Sequence, residues 1–262
     1  MNIFQQFIKS LYSPETIAKF RMAKIGRTIL YVFLLMLIAS IPMFISLTIS
    51  LSALFAAGDQ YMQEIPDFDI ENGVLQADQE EPYVNDEDDM TLVFDSTGDM
   101  SGGDLEEYGN VIAFLEREII FVTGGVAERI AYQEFGIDVS KQELENFYTT
   151  LSDLSILIIT IVLAGFYLFN TALKFLGIFT LSVIALAMKK NTADHLRYRH
   201  CWILAAYTVT LPTILFAVLE GLGLLIPFSF VIYWIIAAVM MNLVLKQVPA
   251  PKTRPAEENT LN

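Results

Sequence analysis

Residues 28–58 contain no charged side chain, and no other feature limits the fold so strongly. At about 1.5 Å of rise per residue, a helix over this run is longer than the roughly 30 Å hydrocarbon core of a bilayer. Backbone amides in hydrocarbon find no water, so a spanning segment must satisfy them within itself, as a helix does. Ala56 and Ala57 are small enough to mark a signal-peptide cleavage site, but such a peptide has an apolar region of only about 7 to 15 residues. The run is therefore read as an uncleaved transmembrane helix over 29–57, with Pro42 as a point of kinking. Further apolar runs cover 154–188, 201–219 and 221–245.

Charge is segregated between these runs. Residues 59–153 hold 25 acidic and three basic residues (Arg117, Arg129 and Lys141), a balance of −22 in a chain whose total is −14, which leaves +8 for the remainder. Lys and Arg near a span hold their flank in the cytoplasm, whereas acids contribute little. The basic stretches therefore lie inside and the acidic block outside. This divides the chain into a cytoplasmic amphipathic and basic segment (1–28), the first span, an extracytoplasmic acidic domain (58–150), a long second span (151–188), a basic cytoplasmic loop (189–200), the third and fourth spans (201–219 and 221–245) and a cytoplasmic tail (246–262). The expected fold is a membrane α-helical bundle of four spans with an inserted small extracytoplasmic α+β domain, in a multi-pass plasma-membrane protein whose N-terminus is cytoplasmic.

The second span is the least regular. Residues 154–188 are too long for one ordinary span and too short for two, with Lys174 as their single charge. Lys189, Lys190, Arg197 and Arg199 place the following loop inside, so the run crosses once and continues as a tilted or interfacial segment, with Lys174 snorkelling toward headgroups. The rival reading separates 175–188 as a further span, which gives five spans and an external C-terminus.

Local patterns fill in the remainder. Ile3, Phe4, Phe7, Ile8, Leu11 and Tyr12 share one helical face, as in a helix lying in the membrane interface. Ser13 is a natural N-cap, and Pro14 restarts a helix behind it. In the acidic block Phe68 and Ile70 alternate with acids, and Asn72-Gly73 is a preferred two-residue hairpin turn. Residues 91–94, 111–115 and 119–123 read as further strands, four or five in all, while 79–89 and 99–107 read as loops. Ser140-Lys141-Gln142-Glu143 has the capping-box pattern, so a helix begins near Lys141 and runs toward the second span. The single cysteine, Cys201, excludes a disulfide framework, and at the head of an apolar run it is read as a buried, inert thiol.

Asp95, Thr97, Asp99 and Glu106 fall at positions 1, 3, 5 and 12 of a calcium-binding loop, but Met100 stands where the sharp turn needs glycine. Together with the acidic run at 85–89, this makes Asp86, Asp88, Asp89, Asp95 and Asp99 candidates for low-affinity contact with divalent cations, a solvated acidic loop being the default. Asp67 and Asp69 belong to the solvent face of a strand. His195, His200 and Cys201 fall short of a closed zinc set. There is no Gly-rich phosphate loop and no nucleophile, base and orienting acid in a recognisable set, so no catalytic residue, cofactor or enzyme activity is assigned. Within the spans, Lys174, Asn170 and Asn242 are the costly polar groups and the default functional candidates.

The chain resembles an uncharacterised family of bacterial polytopic membrane proteins, some of which are called maltodextrin utilisation proteins. The resemblance covers nearly the whole chain and rests on Leu11-Tyr12-Ser13-Pro14, on Ile65-Pro66-Asp67-Phe68 leading to Asn72-Gly73-Val74-Leu75, on Phe94-Asp95-Ser96-Thr97-Gly98, and on Ala206-Tyr207 with Pro212. It implies a membrane location and no established catalytic activity. The last two spans also resemble the layout of the Yip family of membrane-trafficking proteins. The expected function is that of a non-enzymatic plasma-membrane protein whose outer domain binds a partner or ligand. Its partners are the lipid bilayer and a membrane or extracytoplasmic protein, not nucleic acid. The resemblances imply two alternatives, an accessory subunit of a sugar (maltodextrin) uptake system and a membrane-organising Yip-like protein.

Overall fold

A computed structural model describes residues 1–86, 90–136, 138–191, 193–224 and 226–250. In chain order the elements are α1 (Ile3–Ser10), α2 (Pro14–Lys19), α3 (Ile25–Ala39), α4 (Ile41–Glu64), β1 (Phe68–Glu71), β2 (Val74–Ala77), β3 (Tyr83–Asn85), β4 (Thr91–Phe94), β5 (Val111–Phe114), β6 (Glu118–Thr123), β7 (Val126–Ala131), α5 (Tyr132–Phe135), β8 (Val139–Ser140), α6 (Lys141–Asp153), α7 (Ser155–Met188), α8 (Tyr198–Thr208), α9 (Thr210–Gly221) and α10 (Ser229–Lys246). They fall into two units, a helical one formed by residues 1–49 and the chain from Thr160 onward, and an acidic one formed by 50–159.

Four helical stretches are long and apolar enough to cross a membrane: α4, α7, α8 together with α9, and α10. Proline decides where the long runs break. The first run is two helices divided at Ser40, and the second of them continues to Glu64. Pro42 lacks the N–H that would bond the Ile38 carbonyl, and its ring crowds that group, so the helix breaks upstream of the proline rather than bending at it. Pro212 likewise leaves the Thr208 carbonyl without its helical donor, and α8 and α9 meet at Val209, which keeps helical backbone angles. By contrast α7 runs unbroken for 34 residues, with no turn in 175–188 of the kind that a separate fifth span would need.

The last run is corrected at its start. Beyond α9, Leu224 N–H donates to the Leu219 carbonyl and Gly223 N–H to that of Glu220, both at 2.9 Å, with Gly223 at φ +70°. This is a Schellman ending, which needs a left-handed residue that glycine supplies without strain. It stops the helix, so α10 begins at Ser229 and not at 221.

In the helical unit α8 is the hub. Every residue from Cys201 to Thr208 is buried, in one cluster with Ile17 of α2, Leu35 of α3, Leu181 of α7 and Met241 of α10. Helix α1 is capped by Asn2 and Gln5 and turns its polar side inward: Gln6 and Ser10 are buried, while Phe4, Ile8 and Tyr12 are exposed. The buried Tyr207 hydroxyl accounts for this, since it donates to Gln6 Oε1 at 3.3 Å.

Among its described residues the acidic unit has eight strands, more than the four or five expected. A sheet of order β2-β1-β8 and another of order β3-β4-β5-β6-β7 are antiparallel throughout except for the parallel pair β4–β5. The expected hairpin is present, with Asn72 and Gly73 both at positive φ. A parallel pair needs a crossover, and the segment 95–110 supplies it, including a 3₁₀ turn over Asp104–Tyr108 where a loop was expected. Leu105 of that turn is fully buried against Val93, Val111, Ala113 and Ile120. The other face of the sheet carries Leu92 and Phe94, which pack with Phe68, Ile70 and Leu75.

Helices α4 and α6 meet closely within this unit. Tyr148 donates its hydroxyl to the Phe55 carbonyl, and a Cβ on Gly58 would lie 2.5 Å from that hydroxyl. Lys141 donates to the Ile65 carbonyl at 2.5 Å, beside Asp67 and Glu145 at 3.6 Å each. Ser140 and Glu143 form the expected capping box, and a single residue, Leu154, separates α6 from α7. Gly58→Val is expected to destabilise the protein by roughly 1–3 kcal/mol through overpacking, read as a lower melting temperature of the full chain in detergent.

Candidate functional site

Lys174 is the one charged residue of α7. It does not snorkel along the helix surface as expected. Its ammonium turns into the helical unit and donates to Thr213 Oγ1 at 3.0 Å and to the Tyr233 hydroxyl at 3.1 Å. Those two hydroxyls are 3.1 Å apart, so the three groups form a closed triangle. The ammonium also lies 4.7 Å from the centre of the Tyr233 ring, within reach of its negative face.

Thr213 lies in the first turn of α9, and Tyr233 lies one turn into α10. The triangle borders a cavity of about 630 Å³ lined by Asn170, Leu173 and Gly177 of α7, Phe216, Leu219 and Glu220 of α9, and Phe230, Tyr233 and Trp234 of α10. A smaller hollow of about 210 Å³ adjoins the same lysine and reaches Ser40 and Met43 at the break between α3 and α4. The walls are mostly apolar, few polar groups converge on them, and the hollow opens to the surface where Leu224 and Phe230 are exposed. Glu220 stands exposed on the wall, and neither it nor Lys174 has an oppositely charged partner within 4.0 Å among the described residues.

A model for a family described as a protein of unknown function (DUF1189) matches residues 4–245, a range that includes every wall of the cavity. The chain belongs to this family. No curated protein and no solved structure matches it. Membership agrees with the resemblance to an uncharacterised family over nearly the whole chain, and all the residues that carried that resemblance lie inside the match.

Of the acidic candidates, Asp95 and Asp86 bond within their own segments. Both Asp95 oxygens are taken up by its own loop: Oδ1 accepts from Thr97 N–H (2.8 Å), Thr97 hydroxyl (2.6 Å) and Gly98 N–H (3.2 Å), and Oδ2 from Met100 N–H (2.8 Å). Burial pushes this carboxyl up, but the bonds from Thr97, Met100 and Gly98 outweigh it and hold the group below the ordinary carboxylate range. Asp99 is exposed, and Asp86 accepts from the Thr91 hydroxyl at 2.6 Å. Asp88 and Asp89 lie outside the described residues. Among the described residues no three of His, Cys, Asp and Glu are grouped to hold a metal.

His200 accepts the Arg197 N–H on Nδ1 at 3.1 Å and so caps α8. Cys201 is fully buried, so in the folded protein its thiol is expected to stay unlabelled by maleimide from either side of a membrane, before and after permeabilisation. Asn170 donates to the Phe166 carbonyl of its own helix at 2.9 Å, and Asn242 is half-buried. The sequence flagged Lys174 by its cost. Thr213, Tyr233 and Glu220 carried no such signal as a set, because only the helix breaks bring them together.

Proposed function

We propose that this is a non-enzymatic multi-pass membrane protein that binds a ligand inside its helical bundle and holds its acidic α+β unit on the extracytoplasmic side. The observation that carries the reading is the inward ammonium of Lys174 at a cavity with apolar walls. A lysine among spanning helices is costly, and such residues mark binding sites and pathways. The charge rule supports the orientation, since Lys189, Lys190, Arg197 and Arg199 cluster between the end of α7 and the first turn of α8 while the 50–159 unit is strongly acidic. The exposed apolar face of α1 and the basic residues beyond it suit an inner interface with anionic lipid. A sugar-uptake accessory remains the alternative carried by the family resemblance, but a neutral sugar offers Lys174 no counter-charge.

Native mass spectrometry of the full chain, released from mild detergent after purification from its own membranes, tests the reading. A bound small molecule is expected on the wild type and should be lost from Lys174→Met. An adduct retained by the variant, or none on either protein, contradicts it. Orientation is tested separately with cysteines placed in a Cys201→Ser background. Val126→Cys, on the exposed β7, is expected to react with an impermeant maleimide in intact cells, and Lys190→Cys only after permeabilisation. The reverse pattern overturns the topology.

A further inference from the structure

We propose that the cavity at Lys174 takes a zwitterion, with the anionic group of the ligand on Lys174 and the cationic group on Glu220, and with an attached apolar chain against Phe216, Phe230 and Trp234. This rests on the reading of the cavity as a ligand site and specifies its chemistry.

The Lys174 ammonium has three N–H donors, and two of them donate to neutral hydroxyl oxygens. Because Thr213 and Tyr233 also bond to each other, one hydroxyl proton is spent inside the triangle and the other is free to point outward. An anion arriving there accepts from both the remaining ammonium proton and that hydroxyl, which are the strong, charge-assisted kind of bond. Among the described residues the contacts of the ammonium are two neutral hydroxyls and a ring face, with no carboxylate within 4.0 Å.

A simple anion is nevertheless a poor fit. Glu220 is seven residues on from Thr213 in α9, two helical turns along the same face and about 10 Å farther along the axis. It lines the same cavity as Lys174, yet the two are not paired. Glu220 repels an anion and Lys174 repels a cation. A ligand carrying both charges, separated by a few bonds, satisfies the two walls together. The aromatic side chains that share this wall, Phe216, Phe230 and Trp234, favour a cationic group as well, through their ring faces, and the apolar remainder of the wall suits a hydrocarbon chain. Two sources share this chemistry: the headgroup of a zwitterionic phospholipid entering from the bilayer, and a soluble amphiphile or free headgroup.

The test is binding to the full chain in detergent, read by native mass spectrometry and by ligand-induced change in melting temperature. The probes are a short-chain phosphatidylethanolamine, a phosphatidylglycerol of the same chains, and free phosphoethanolamine. The zwitterionic lipid is expected to bind more tightly than the anionic one. Lys174→Met should weaken it by roughly tenfold or more. Glu220 is exposed, so Glu220→Gln leaves the fold intact. This variant should weaken the zwitterionic lipid and tighten the anionic one, a change of opposite sign that no loss of structure produces. Free phosphoethanolamine binding as tightly as the lipid supports the zwitterion and assigns it to a soluble source, whereas binding of the lipid alone assigns it to the bilayer. Preference for phosphatidylglycerol in the wild type, or equal effects of Glu220→Gln on both lipids, overturns the zwitterion while the ligand-site reading stands. No binding by any probe overturns the zwitterion too. If the protein from its own membranes also lacks an adduct, the ligand-site reading falls with it.

Discussion

Tyr207→Ala is expected to destabilise the protein by roughly 3–5 kcal/mol, the range for removing a large buried aromatic and leaving its space empty. The ring is fully buried, with its centroid 4.3 Å from that of Tyr31 and 4.7 Å from that of Phe20. It therefore joins α8 to α3 and to the turn after α2. Its polar atoms are tied as well: the hydroxyl donates to Gln6 Oε1, and the backbone carbonyl accepts from the Thr210 hydroxyl at 2.7 Å. Tyr31 completes the chain, its hydroxyl 2.6 Å from that of Thr210. Tyr207→Phe keeps the ring and loses one hydrogen bond, so it should cost only about 1 kcal/mol. Thermal unfolding of both variants in one detergent separates packing from polarity. Equal losses would mean that the hydroxyl, not the ring, holds these helices.

Asp95→Ala is expected to cost about 3 kcal/mol, because one carboxylate satisfies four donors of the crossover that the parallel pair β4–β5 requires. Asp95→Asn retains part of the geometry without the charge and should fall between Ala and wild type. The same group makes stability depend on pH. Its folded value lies below the ordinary 3.8, so its contribution is complete above that value and is lost as pH falls through the folded value. Acid unfolding of the wild type below about pH 4 should therefore be steeper than that of Asp95→Asn. Superimposable acid profiles would remove Asp95 from this role.

These two residues also show what could be read from the chain. Asp95 was visible as the first acid of a failed calcium loop, and its function as the loop's internal acceptor was not. That role depends on a parallel pairing between strands seventeen positions apart that no local pattern announces. Caps and turns were legible wherever the signal was short-range: Ser13-Pro14, Asn72-Gly73 and the Ser140 and Glu143 box all form as expected. The apolar runs were legible as helices, because every backbone group within them bonds locally. Their interruptions were less legible: the kink expected at Pro42 falls two residues upstream at Ser40, the α8–α9 junction before Pro212 was not expected, and Gly223 ends α9 before the apolar pattern stops. Strands β3, β7 and β8 were missed because each is short, exposed or acidic and is held by its neighbours in the sheet rather than by its own alternation. Lys174 was flagged correctly as costly and directed wrongly. Snorkelling is the default for a lone lysine on an apolar helix, and only the late start of α10 puts Tyr233 within its reach.

That inward turn is the central claim, and a double-mutant cycle on Lys174→Met and Tyr233→Leu, which removes both the hydroxyl and the ring, tests it most directly. Unfolding free energies of the wild type, the two single variants and the double variant would be measured in one detergent. If the ammonium rests on the Tyr233 hydroxyl and ring, the two changes should couple by roughly 0.5–3 kcal/mol. Strictly additive effects would place the ammonium away from Tyr233, out toward the headgroups, and would contradict the account.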